Sequence, residues 1–248
     1  MLLRSLLDLF FPPLCAACEA RHVGHGQCLC PACQAALPRT EHALHPDNAA
    51  LALFRDNRRV QRAAAWCYYT DGTDFRLLVH KLKYHRCPWL GPSLGALAAA
   101  DFLRQTPAWF AGIDFIVPVP LHRRRERSRG YNQAALIAQG IGRAAGLPVN
   151  TSCLVRTVDN PTQTQRTAEE RRLNVEGIFS VRRPELLTGK HILLVDDILT
   201  TGATLRSCLA ALQSVRGLRV SVFTLALARQ TGSPLSPDSA LSSGSIAR

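Results

Sequence analysis

Residues 190–214 read KHILLVDDILTTGATLRSCLAALQS, and the fold is decided there. The run 192–195, ILLV, is apolar, rich in branched side chains and bounded by polar residues. That is the pattern of a strand buried on both faces of a parallel sheet. Two adjacent carboxylates follow, Asp196 and Asp197, and then a hydroxyl-rich loop, Thr200-Thr201-Gly202-Ala203-Thr204. Leu205, Leu209 and Leu212 recur at helical spacing, so a helix is predicted from Ala203 onward. In an open α/β sheet, a junction of strand, acidic pair, loop and helix start is where ligands bind, beyond the carboxyl ends of the strands.

The loop has the chemistry of a phosphate site. A helix start leaves amide N–H groups unpaired, with the positive end of the dipole behind them. Gly202 lets the backbone approach an anion, and three threonine hydroxyls add donors. The carboxylates would repel a phosphate they faced. A few ångströms away they suit the hydroxyls of a vicinal diol, and a phosphate beside a diol describes a ribose 5-phosphate. Taken separately, Asp-Asp would serve as a turn cap and Thr-Thr-Gly as a helix cap. No Gly-Lys-Ser/Thr follows the glycine, which argues against a nucleotide P-loop.

With 248 residues, 47% of them hydrophobic, the chain can build one α/β domain plus a small accessory module. The net charge of +12 comes almost wholly from arginine, whose planar fork suits phosphate, so polyanions or phosphorylated small molecules are the expected partners. No apolar run reaches the length of a membrane span. Residues 1–15, MLLRSLLDLFFPPLC, are interrupted by Arg4 and Asp8 and show no small-residue cleavage site. They read as a short amphipathic helix ending at Pro12-Pro13, and a cytoplasmic location is expected.

Five of the nine cysteines lie between Cys15 and Cys33. Cys15-x2-Cys18 and Cys30-x2-Cys33 form two paired knuckles, a spacing that closes a tetrahedral site around Zn2+ in a structural ribbon. Cys28, His22 and His25 compete as ligands; Cys30 is preferred because it completes the pair with Cys33.

Residues 42–57 read as a linker or irregular segment, 63–69 as a strand, and 74–84 and 90–103 as helices. Residues 114–120, DFIVPVP, form a short strand that runs into 121–132, LHRRRERSRGYN, with a helix over 133–145 beyond. The arginine run suits either a pyrophosphate group or a solvated basic face, with Arg123, Arg124 and Arg125 as candidates. Residues 156–174 are polar and read as an active-site lid or a surface helix; 178–181 and 219–227 are strands; 230–248 form a disordered tail.

In this order the cysteine pairs, Lys81-Leu82-Lys83-Tyr84, Val117-Pro118-Val119-Pro120 with Arg129-Gly130-Tyr131-Asn132, residues 165–172 with Asn174, and the thirteen positions 192–204 resemble the ComF family of competence-associated proteins, which includes ComFC-like and GntX-like members. The resemblance implies an N-terminal zinc ribbon (residues 1–46) joined to a type I phosphoribosyltransferase-like parallel sheet flanked by helices (47–228), with a tail over 229–248. It further implies that Asp196 and Asp197 hold the ribose hydroxyls and Thr200, Thr201, Gly202, Ala203 and Thr204 the 5-phosphate of phosphoribosyl pyrophosphate. Mg2+ and cations such as Arg123, Arg124 or Arg125 would neutralise the leaving pyrophosphate. Competence-related DNA uptake or nucleotide salvage is the expected setting. The charge itself supports a second reading, a non-catalytic adaptor for single-stranded DNA in an import machine, with DNA-uptake proteins as partners.

Overall fold

The computed structural model describes residues 13–24, 26–158 and 177–228. The helix expected over 2–10, most of the expected lid and the serine-rich tail lie outside the described residues. Along the chain come α1 (Pro31–Ala35), α2 (Ala49–Ala52), β1 (Val60–Tyr69), α3 (Asp74–Tyr84), α4 (Leu90–Gln105), β2 (Phe115–Pro118), α5 (Arg123–Arg129), α6 (Gln133–Ala145), β3 (Leu154–Arg156), β4 (Phe179–Val181), β5 (His191–Leu199), α7 (Ala203–Ala211) and β6 (Arg219–Ala228).

The uninterrupted apolar runs pair with one another. The main sheet has the order β1-β6-β5-β2 and every pairing in it is parallel. Because side chains alternate along a strand, β5 serves two cores. Leu193 and Val195 enter the cluster built by α3, α4 and α6, while Ile192 and Leu194 enter the one built by α7. Covering both faces removes polar alternation from the strand, which is why 192–195 reads as solid hydrophobe. Helices α4 and α6 cross almost backbone to backbone. A Cβ at Gly95 would lie 2.2 Å from the Ile137 carbonyl oxygen, and one at Gly140 would lie 2.1 Å from that of Pro92. β3 and β4 form a separate antiparallel pair.

Three features differ from the sequence reading. β5 runs on to Leu199, so the acidic pair lies within the strand rather than after it. Polar side chains end the apolar run at Asp196, but β6 continues the ladder, pairing Asp196 with Thr224 and Leu199 with Leu227. The arginine run is helical: the His122 ring caps it by accepting from Arg124 N–H, and Gly130 ends it at φ 89°.

The third difference is in 42–57, where Ala49–Ala52 is helical and the irregular residues before it are pinned, with 38–41, to the edge of β1. Tyr68 N–H donates to the Pro38 carbonyl at 2.7 Å and Thr40 N–H to that of Trp66 at 3.0 Å. Ala65 N–H donates to His42 Nδ1 at 3.2 Å, and Asn48 Nδ2 to the Ala63 carbonyl at 3.0 Å. His42 is buried, and burial pulls its pKa down to about 4, which suits a neutral ring accepting a hydrogen bond. Backbone and side-chain groups of this segment together close a sheet edge that would otherwise template pairing.

Candidate functional site

β2, β5 and β6 run parallel, so their carboxyl ends open on one edge. Val119 N–H bonds the Val195 carbonyl at 2.8 Å, and the chain then turns into α5. The acidic pair, the threonine loop and Arg123, Arg124 and Arg125 therefore share that edge, as the sequence order implied. Arg123 and Arg124 are exposed and Arg125 is half-buried.

Asp196 and Asp197 are half-buried and linked: Asp197 N–H donates to Asp196 Oδ1 at 2.9 Å, and Ile198 N–H to Asp197 Oδ1 at 2.6 Å. Burial, followed by the neighbouring Asp197 charge, pushes Asp196 up to about 7; Lys83 and Arg156 pull the other way. Lys83 Nζ stands 3.1 Å from Asp197 Oδ2. The sequence offered Arg156 as the first residue of a polar segment read as a lid and Lys83 as one of two lysines near a helix end, but it paired neither with the aspartates. Lys83 lies on α3, more than a hundred residues from the aspartates; the segment 81–84 carried the family resemblance, but nothing local says which group the lysine meets.

Thr200, Thr201 and Thr204 are exposed, as is Ala203. Gly202 opens α7 with φ 77° and, lacking a side chain, does not cap it; Thr201 Oγ1 accepts from Ala203 N–H at 3.4 Å. The Phe54 ring lies under the loop, 3.4 Å from where a Cβ on Gly202 would be. A concavity of about 490 Å³ along α7, lined by Phe54, Asp56, Arg59 and Arg206, does not include the acidic pair. Arg206 is bonded to Asp56 at 2.7 Å, and Arg59 to the carbonyls of Val215 and Gln213 at 2.7 Å each, so these cations hold structure together.

Residues 129–132 act as scaffold. Tyr131 Oη donates to the Leu82 carbonyl at 2.7 Å, and Asn132 caps α6 while its Nδ2 donates to the Val119 carbonyl at 3.0 Å. Tyr84 stays exposed, with the Arg129 guanidinium 5.5 Å from its ring centre and the His80 ring at 4.7 Å.

The second cluster lies against another side of α3, where Lys81 Nζ donates to the Ala16 carbonyl at 2.8 Å. The sulfurs of Cys15, Cys18, Cys30 and Cys33 all lie within 4.8 Å of one another, with Cys18 and Cys30 at 4.0 Å. Tetrahedral zinc thiolates need sulfurs about 3.8 Å apart, so the donor set fits. The four cysteines are positioned to bind a metal such as zinc. Neither Cys28 nor His22 belongs to the cluster, and His25 lies outside the described residues. Cys28 is buried, but its sulfur stands outside the group of four. Among the described residues no helix is long and apolar enough to cross a membrane.

The family described as "Phosphoribosyl transferase domain" matches residues 128–241. "DNA utilization protein YhgH" of Salmonella typhimurium is 31% identical over 208 residues, covering 82% of this chain and 85% of that protein. "Competence protein ComFC" of Bacillus subtilis is 38% identical over 111 residues, 44% of this chain and 43% of its own. A solved structure of the allosteric regulatory enzyme of purine biosynthesis aligns with 54% of this chain and 25% of that one, at 20% identity and a TM-score of 0.38, too loosely to carry a conclusion. With the match over most of both chains, the parallel sheet and the four clustered cysteines, this chain belongs to the ComF family, joining an N-terminal cysteine knuckle module to a phosphoribosyltransferase-type domain.

Proposed function

We propose that the chain binds phosphoribosyl pyrophosphate with Mg2+ at the carboxyl edge of β5 and acts as a phosphoribosyltransferase-type protein in cytoplasmic DNA uptake or nucleotide salvage. The observation that carries this reading is the juxtaposition of an acidic pair on β5 with a helix that starts at Gly202, only a few residues on, behind an exposed threonine loop. Asp196 and Asp197 accept from the ribose hydroxyls; Thr200, Thr201 and Thr204 and the amides from Gly202 to Thr204 hold the 5-phosphate. Two adjacent carboxylates offer hard oxygen donors suited to Mg2+, which when bound supplies neutralisation of the pyrophosphate charge. Arg123, Arg124 and Arg125 lie on the same edge and complement that charge as C1 separates from it with oxocarbenium character.

Calorimetry with phosphoribosyl pyrophosphate and Mg2+ should show saturable one-site binding that Asp196→Ala/Asp197→Ala abolishes. No binding at millimolar ligand would sink the reading. A pyrophosphate-release screen across nucleobases would identify the acceptor.

A second reading, an adaptor for single-stranded nucleic acid, is favoured by one observation. The exposed Tyr84 ring, flanked by His80 and Arg129, stands beside the basic helix α5, with Trp89 also exposed. Aromatic faces beside cations are how unpaired bases are held without sequence readout.

A further inference from the structure

Lys81 and Lys83 flank Leu82 on α3 and reach in different directions. Lys81 Nζ donates to the Ala16 carbonyl at 2.8 Å and pairs with Glu19. Both partners belong to the first cysteine knuckle, Ala16 between Cys15 and Cys18 and Glu19 directly after. Glu19 N–H closes that turn on the Cys15 carbonyl at 2.9 Å. Lys83 reaches Asp197. Residues two apart on a helix point about 200° apart while separated by only about 3 Å along the axis. The residue between them is fixed: Leu82 is fully buried and its carbonyl accepts from Tyr131. The last turn of α3 is therefore a short lever, held at Leu82, with the knuckle on one arm and the acidic pair on the other.

We propose that Lys83 is a positioning residue for Asp197, and that the cysteine module sets its placement through the contact of Lys81 with the first knuckle. Two like charges on neighbouring residues are costly to hold in one half-buried place. A cation on Asp197 lowers that cost and keeps both carboxylates available to a diol or a hard cation. A fixed lysine does this better than a wandering one, and here its helix is fixed by a turn whose shape depends on two of the four metal-positioned thiols. The module is then a brace for the sheet edge as well as a separate fold. The consequence for ligand affinity rests on the ribose-phosphate reading above; the brace itself rests on the contacts of Lys81, Leu82 and Lys83.

The test uses the full chain in four forms: wild type, Lys81→Met, Lys83→Met and the double variant, with Lys83→Arg as the conservative replacement. Lys83→Met should weaken binding of phosphoribosyl pyrophosphate with Mg2+ about tenfold, and Lys83→Arg should recover most of it. Lys83→Met should also move the midpoint of the affinity–pH profile upward. Asp196, which that midpoint reports, is faced by Asp197 on its own strand, Lys83 from α3, Arg156 from β3 and Cys208 from α7.

Lys81→Met touches no proposed ligand atom. It should retain its metal and its thermal unfolding transition, yet weaken binding about fivefold and shift the midpoint in the same direction. The double variant should be no weaker than Lys83→Met alone. Wild-type affinity in Lys81→Met, additive losses in the double variant, or tighter binding by Lys83→Met would each overturn the proposal. If the wild type itself fails to bind, the ribose-phosphate reading falls, and amide exchange decides the brace. Faster exchange over residues 80–84 in Lys81→Met and after metal chelation supports it; unchanged exchange in both overturns it.

Discussion

The cysteine module and the carboxyl edge of β5 reach order by opposite routes. In the module, α1 has five residues and none of them is buried. What is buried around it is chiefly Cys15, Cys28, Leu29, Cys30 and Leu37. So little apolar surface does not offset the entropy of ordering the chain, and metal binding has to provide much of the folding free energy. β5 needs no such help. Residues 191–195 are all buried, strands flank it on both sides and helices cover both faces. Its polar residues extend from a strand already held. In the module, ligand chemistry makes the fold; at the sheet edge, the fold makes the ligand chemistry possible. The two are not insulated, because Cys15, Cys28, Leu29 and Cys30 share one buried cluster with Phe75, Leu78 and Leu82 of α3.

The contrast is broken most severely at the thiols. Structural zinc sites are worth roughly 10–16 kcal/mol in apparent binding energy, so Cys30→Ser should lose the metal and unfold residues 13–37 while the parallel sheet keeps a cooperative melt. Cys28→Ser, which removes a buried thiol outside the four-sulfur cluster, should keep one equivalent of zinc. Metal analysis of the two variants decides; zinc retained in Cys30→Ser and lost in Cys28→Ser would reverse the ligand assignment. An equivalent loss at the sheet edge should abolish ligand binding without unfolding anything, which is what Asp196→Ala/Asp197→Ala examines.

A smaller effect separates the arginine helix from the acidic pair. Each phosphate contact to a single strand contributes about 0.7 to the slope of log affinity against log salt. If Arg123, Arg124 and Arg125 make such contacts, replacing all three with alanine should flatten the slope by about 2, measured by titrating a fluorescent oligonucleotide at several salt concentrations. Oligonucleotide binding that survives loss of both aspartates but not of the arginines would favour the adaptor reading. Binding indifferent to salt would count against it.

The mildest effect is on pH. Asp196 is raised to about 7, chiefly by burial and then by Asp197, and a diol or Mg2+ requires its ionised form. Binding must therefore expel a proton below that value, and affinity should climb with pH, by up to about tenfold per unit, levelling off above about 7. Stability runs the other way. A carboxyl with a raised folded pKa contributes stability in acid that is lost as pH rises through the folded value. His42, lowered to about 4, contributes stability above its unfolded pKa that is lost as pH falls toward 4, so the two oppose each other across the same window. Asp196→Asn should flatten the affinity profile and expose the acid sensitivity of His42 in thermal melts; an unchanged affinity profile would show that Asp196 is not the titrating group.

Much of the sheet was legible locally because its determinants are local. The apolar runs at 192–195 and 219–227, the leucines of α7, and the match of α3 and α6 to their predicted spans all follow from periodicity and capping residues near each element. The cysteine spacing likewise carried the metal cluster, since knuckle geometry is set by a few covalently close residues. The sequence by itself thus determined the strand–loop–helix junction, the parallel class of the sheet and the two paired cysteine knuckles, while the fold set Cys28 and His22 outside the cluster.

Only the tertiary structure decided where β5 ends, because that depends on β6 continuing beside it. It also decided that Lys83 meets Asp197 and Lys81 meets the first knuckle, and that His42 and Asn48 seal the edge of β1. Each of these joins residues far apart in the chain, and a lysine near a helix end has the same local signature whatever it faces. Partner choice at long range is a property of packing, which brings charges together only after the cores of both sheet faces have closed.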